Sequence, residues 1–256
     1  MVLDKISDGA SRHSQVFDQD TKRLAFLMCL PMIDGVFAML LVTGAVNTFS
    51  SMVMVALTVF AGAGSLAVLY SATENRREAL LMVGRVAPLV FTGALAVALI
   101  APVFEQLFYV GRLSYAAGIV LIVIAGKMVS APFSDKFSTP GIIVTGMVLS
   151  VKDFAAFTVS FQYVLPAIVT VTVALMALSA AAFVDRKRMD LNYIRTGGAA
   201  VLFFIALSLF GADIPQGLSL AVFGFSVFAS LEQSKKVLDY FFVDVLGFRR
   251  RLSVLK

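Results

Sequence analysis

The chain has 256 residues, 59% of them hydrophobic and only 14% charged, and its mean hydropathy is +0.92. A soluble domain carries ~25% charged residues, so the composition excludes one and points to a polytopic membrane protein. One cysteine, Cys29, excludes an internal disulfide; the one histidine, His13, sits in a polar stretch and removes any Cys/His metal cluster; the +5 net charge gathers at span ends, which argues against nucleic-acid binding.

From the N-terminus, residues 1–23 form a polar tail without the apolar core of a cleavable signal, so the first span is expected to serve for targeting. Residues 24–231 form the transmembrane domain. Apolar runs long enough for a ~30 Å hydrocarbon layer fall at 24–45, 51–70, 86–103, 113–128, 141–161, 164–184, 199–211 and 218–231. The expected fold is therefore an all-α bundle of about eight transmembrane helices, the last two short enough to be re-entrant. Nineteen of the 21 Lys and Arg residues fall on one side of this arrangement; Arg112 and Lys152 are the exceptions. The positive-inside rule then places both termini in the cytoplasm of a cell-membrane protein.

Punctuation repeats along the chain. Asp34 within a span, a charged loop at 74–78, Arg85 and Leu113-Ser114 are followed in the same order by Lys152-Asp153, a charged loop at 185–190, Arg195 and Leu218-Ser219. This predicts a four-plus-four duplication with halves at about 24–129 and 141–231, related by an axis along the membrane normal. The last segment, 232–256, alternates apolar Leu238, Phe241, Phe242, Val245 and Phe248 with basic residues. It reads as a cytoplasmic interfacial helix whose basic end meets anionic headgroups, or which docks a partner subunit.

Of the 16 acidic residues, Asp34 and Asp153 are the two that interrupt long apolar runs. An ionised group at mid-membrane costs roughly 2.5 kcal/mol or more, so it faces a bundle interior, finds a partner and marks a pathway. Asp34 follows Pro31 and precedes Gly35; proline removes a backbone donor and frees a carbonyl, which suits a broken helix that binds a cation. Lys152 and Asp153 are adjacent and so point about 100° apart on a helix. The expected arrangement pairs Lys152 with Asp34 across the two halves, a neutral centre that protonation or a cationic substrate would open. Asn47, Ser150, Thr158 and Gln162 are the expected cavity-lining polar residues, and any bound metal would take oxygen ligands from Asp34 and Asp153. No cofactor is implied. Met28, Cys29 and Met32 read as packing rather than a soft-metal site. Gly62, Gly64, Gly197 and Gly198 read as points of close helix approach.

Enzyme signatures such as H-E-x-x-H, G-x-S-x-G, a P-loop or G-x-G-x-x-G are missing, so no enzymatic activity is expected. Two functions from different classes fit: a secondary transporter or exporter of a small cation or cationic solute, using mid-membrane carboxylates, and a non-transporting subunit or scaffold of a larger membrane complex. A homo-oligomer is compatible with either.

At Leu30-Pro31-Met32-Ile33-Asp34-Gly35-Val36-Phe37 followed by Gly44-Ala45, and at 125–131 leading to Pro140-Gly141, the chain resembles an uncharacterised family of archaeal multi-spanning membrane proteins best represented in haloarchaea. That resemblance implies a fold and no activity. The Asp34–Ala38 stretch is also similar to the aspartate-bearing first helix of manganese exporters in the lysine-exporter superfamily. This second resemblance implies inverted three-helix halves, and Asp34 and Asp153 as cation-binding positions.

Overall fold

The computed structural model describes residues 19–130, 137–152, 160–184 and 189–231. Asp153, Thr158 and the 232–256 segment lie outside the described residues. In chain order the helices are α1 Gln19–Ile33, α2 Val36–Val42, α3 Phe49–Val55, α4 Ala63–Ala72, α5 Arg76–Leu107, α6 Val110–Met128, α7 Thr139–Ser150, α8 Val164–Ala181, α9 Leu191–Leu209 and α10 Gln216–Ser230. The described chain is thus all-α, with a π-helical turn, Ala56–Phe60, running on from α3.

Four helices, α5, α6, α8 and α9, are long and apolar enough to cross a membrane. Two further candidates are broken. α1 and α2 meet at a 46° bend, and the α3–π segment meets α4 at a 52° bend. Several long apolar helices mark an integral, multi-pass membrane protein. Counting each bent pair as one crossing gives up to six candidate spans, and α7 and α10 are shorter apolar helices.

Sequence spacing explains the packing. In α5, Val83, Val86, Val90, Ala94, Ala98 and Ala101 recur every three or four residues and are buried, one stripe of a 3.6-residue helix. α8 offers the matching stripe Ala167, Val171, Ala174 and Leu178, and the two helices pack together. The small side chains let the backbones approach closely, which is how helices associate where lipid tails compete for apolar surface. On the outward face of α5, Leu81, Leu89, Leu95 and Ile100 are exposed, an arrangement stable against lipid and costly against water.

Capping sets several boundaries. Thr48 and Ser51 form a reciprocal capping box on α3, Ser138 accepts from the Gly141 amide as α7 begins with Pro140 near its start, and Asp190 accepts from the Asn192 amide at 3.1 Å to open α9. Each satisfies a donor that an α-helix leaves orphaned in its first turn.

Two antiparallel hairpins, α6–α7 and α9–α10, pack on each other through α6 and α9. Each hairpin is latched at its open end. The Tyr109 amide donates to Ser150 O (2.6 Å) and the Lys152 amide to Leu107 O (2.8 Å), around the bridge Phe108–Val151. The Asp190 amide donates to Ser230 O (2.8 Å), around the bridge Met189–Leu231. The contact between α6 and α9 is reciprocal as well: Gly118 lies against the Phe210 ring at the end of α9, and Gly198 against Met128 at the end of α6. Within the hairpins Gly146 sits on Ala116 and Gly197 on Ser226.

These contacts do not follow the four-plus-four scheme. That scheme makes α5–α6 the counterpart of α9–α10, yet α9 and α10 pack along each other whereas α5 and α6 do not pack side by side. Shared punctuation reflects where charges can sit at span ends, not which helices touch. The first span also begins earlier than its apolar run, since α1 already includes Gln19.

Candidate functional site

The break in the first span falls at Asp34 and Gly35. α1 makes its last turn through the Asp34 amide, which donates to Leu30 O at 2.9 Å. Gly35 then takes φ +84°, a left-handed conformation that only residues without a Cβ adopt freely, and α2 starts in a new direction. Pro31 lies inside α1 and is not the point of fracture. The Asp34 carboxylate reaches forward, its Oδ1 accepting from the Val36 amide at 3.1 Å, so it satisfies one orphan donor of α2.

Asp34 opens onto a cavity of about 600 Å³. The second broken span faces the same space: Thr58 and Val59 from the π-helical turn, and Gly62, Ala63 and Gly64 from the start of α4, line it. Non-helical backbone at membrane depth persists only where protein covers it or a cavity solvates it, and here both fractures share one cavity. Thr58 and Ser65 turn their hydroxyls back to Met54 O (2.6 Å) and Phe60 O (2.7 Å), which satisfies carbonyls loosened by the π turn. The fourth wall is α6 and α7, with Ile124, Lys127, Met128, Thr139 and Pro140. The Lys127 ammonium lies 3.4 Å from the Thr139 hydroxyl and has no carboxylate partner among the described residues. One cavity therefore holds a carboxylate, an ammonium and two helix breaks.

The other expected site residues lie elsewhere. Lys152 does not pair with Asp34: its Nζ donates to the main-chain oxygen of Glu105 at 3.1 Å and sits 5.4 Å from the centre of the Tyr109 ring. The physical reason is that α7 ends at Ser150, so the 141–161 run is not one continuous helix and Lys152 belongs to the latch on α5. Gln162 joins that cluster, donating to Glu105 Oε2 at 2.8 Å, as does the Tyr163 hydroxyl at 2.8 Å. Burial first, then the Glu105 carboxylate, push the Tyr163 phenol up to about 12, which keeps it a donor. Ser150 is buried, bonds Gly146 O at 2.6 Å and lines a groove between α6 and α7. Asn47 lines a separate cavity of about 250 Å³ with Thr43, Ser51, Ser208 and Ser219. Asp153 and Thr158 are outside the described residues, and among the described residues no group of three or more His, Cys, Asp or Glu could hold a metal.

Sequence reasoning missed Glu105 and the placement of Lys127. Glu105 was hidden because the apolar run stops at Val103 while α5 continues to Leu107. Lys127 read only as an orientation marker. The signal for it was its position in the last turn of the 113–128 run, near enough for a long side chain to reach inward.

Residues 90–210, from the middle of α5 to just past α9, match the model of a family of unknown function (DUF5794). The match takes in Glu105, Lys127, Lys152 and Tyr163 and leaves out Asp34. No curated protein matches, and no solved structure matches.

Proposed function

We propose that the protein is a secondary transporter or exporter of a small cation or cationic solute, with Asp34 as its cation- or proton-carrying group. The observation that carries this reading is the meeting of two fractured spans at one cavity, with the Asp34 carboxylate presented at the first fracture. A straight helix has no spare backbone polarity to offer an ion, whereas a broken one offers carbonyl and amide groups beside a charge. Lys127, on the opposite wall, takes the part of internal counter-charge that Lys152 was expected to play. A cation entering the cavity gains the carboxylate and repels the ammonium; its departure leaves Asp34 to a proton or to Lys127.

In this reading the bent pairs are one crossing each and α7 and α10 are short crossings, eight in all, with both termini in the cytoplasm. The two latched hairpins support a relation between α5–α6–α7 and α8–α9–α10 in which one unit is inverted against the other, in keeping with the exporter-type resemblance. Latches at opposite ends then give one closure on each side of the membrane, the minimum that alternating access requires.

The test is flux in proteoliposomes loaded with a pH-sensitive dye and challenged with gradients of Mn²⁺, Na⁺ and lysine. Asp34→Asn should abolish the flux that wild type shows, while the thermal unfolding of the variant stays within a few degrees of wild type. Undiminished flux through Asp34→Asn refutes the reading. The scaffold alternative is favoured by one contact, the bond from the Val36 amide to Asp34; under it Asp34→Asn changes stability, and wild type moves none of the three ions.

A further inference from the structure

Arg112 and Lys152 are the two basic residues that depart from the one-sided distribution of Lys and Arg in the sequence, and the fold brings both to one aromatic ring. The Arg112 guanidinium lies 5.1 Å and the Lys152 ammonium 5.4 Å from the centre of Tyr109. Arg112 also donates to Leu149 O at 3.2 Å, and Lys152 to Glu105 O. Neither has a carboxylate partner among the described residues, because the nearby Glu105 carboxylate is held by Gln162 and Tyr163. Starting at Arg112, an apolar groove of about 810 Å³ runs between α6 and α7 past Tyr115, Ile119, Thr145 and Leu149 to Phe137. α7 has 12 residues, about 18 Å of helix, a little more than half of the ~30 Å hydrocarbon thickness. The groove is thus long enough for one acyl chain, with Arg112 at its mouth and Lys152 close by across Tyr109.

We propose that this is a binding site for one anionic phospholipid: the phosphate lies at the edge of Tyr109 within reach of Arg112 and Lys152, and an acyl chain occupies the α6–α7 groove. Charge complementarity selects the occupant. An apolar groove alone accepts any chain, but two cations at a membrane edge, sharing a ring that screens one from the other, favour a headgroup with net negative charge. The site touches both strands of the latch at Tyr109 and Lys152, so a bound lipid holds the α6–α7 hairpin shut.

Native mass spectrometry of the full chain in detergent tests this, with phosphatidylglycerol, phosphatidylcholine and glycerol phosphate added separately. Wild type should retain phosphatidylglycerol in preference to phosphatidylcholine. Arg112→Gln and Lys152→Gln should each cut that preference about fivefold, Arg112→Lys should keep it, and Thr145→Trp, which fills the groove away from the cations, should weaken both lipids. Unchanged preference in the Arg112→Gln, Lys152→Gln double variant overturns the proposal. So does retention of glycerol phosphate as strong as that of the lipid, which would make the ligand a free phosphate. Loss of a dimer instead of lipid in Thr145→Trp also overturns it, since the groove would then hold a second copy of the chain.

Discussion

Replacing Gly35 by alanine isolates the conformational cost of the first fracture. A Cβ built on Gly35 would lie 3.6 Å from Ile143 Cγ2 and 3.8 Å from Met147 Cε, ordinary van der Waals contact, so no steric clash contributes. What remains is the backbone: φ is +84°, and a residue with a Cβ pays roughly 1–2 kcal/mol to stay left-handed. Gly84 in α5 is the control, a helical glycine with nothing within 4 Å of its would-be Cβ, where alanine should gain up to about 1 kcal/mol. The two substitutions therefore have opposite signs. The chain has a single cysteine, Cys29, partly buried in α1, so a thiol-reactive fluorophore reports unfolding from one site. With roughly 2–4 °C per kcal/mol for a chain of this size, Gly35→Ala should melt roughly 2–8 °C below wild type and Gly84→Ala slightly above it. Gly35→Asn should fall between wild type and Gly35→Ala, since asparagine tolerates the left-handed region. If Gly35→Ala melts at or above wild type, the fracture is not held by a left-handed residue and the account of the Asp34 site loses its basis.

Other outcomes follow from contacts already described. Asp190→Ala removes the cap on α9 and should cost about 1 kcal/mol in the same thermal assay, with Asp190→Ser recovering most of it. Gly118→Ala must displace the Phe210 ring and should cost about 1–3 kcal/mol, while Gly198→Ala presses on the flexible end of Met128, with Thr58 Cγ2 at ordinary contact, and should cost less. Tyr163, with a phenol at about 12 against an ordinary 10, should ionise last in an ultraviolet titration, and Tyr163→Phe should delete that step. Because its folded value lies above the unfolded one, its contribution is intact below pH 10 and is lost as pH rises toward 12; unfolding measured over that window should show a shallower fall in the Tyr163→Phe variant.

Much of the helical class and part of the site were legible in the sequence, and the reasons divide by range. Mean hydropathy and run length depend on neighbouring residues, so the long apolar helices could be read directly, whereas the break in the first span, expected at Pro31, falls at Gly35, whose left-handed φ no hydropathy pattern announces. Gly197 and Gly198 do mediate close helix approach, whereas Gly62 and Gly64 line a fracture instead, because glycine serves both purposes and composition does not separate them. The π-helical turn at Ala56–Phe60 has no proline to announce it. Lys152 was misplaced since an unbroken apolar run was read as an unbroken helix, and α7 stops partway along it. The latches join residues far apart in the chain, such as Tyr109 with Ser150 and Asp190 with Ser230. They are main-chain bonds, which leave no side-chain signature at all.

The length of α5 sets the protein's relation to its bilayer. Its 32 residues span about 48 Å, against ~30 Å of hydrocarbon, so the rod must lean or project. Arg76, Arg77 and Arg85 lie toward one end, and Glu105 near the other accepts from Lys152 of the α6–α7 latch and from Tyr163 at the start of α8. Pro88 and Pro102 inside it give it places to bend, and thinner or thicker lipid should change its lean at the end where Glu105 O meets Lys152 of the latch.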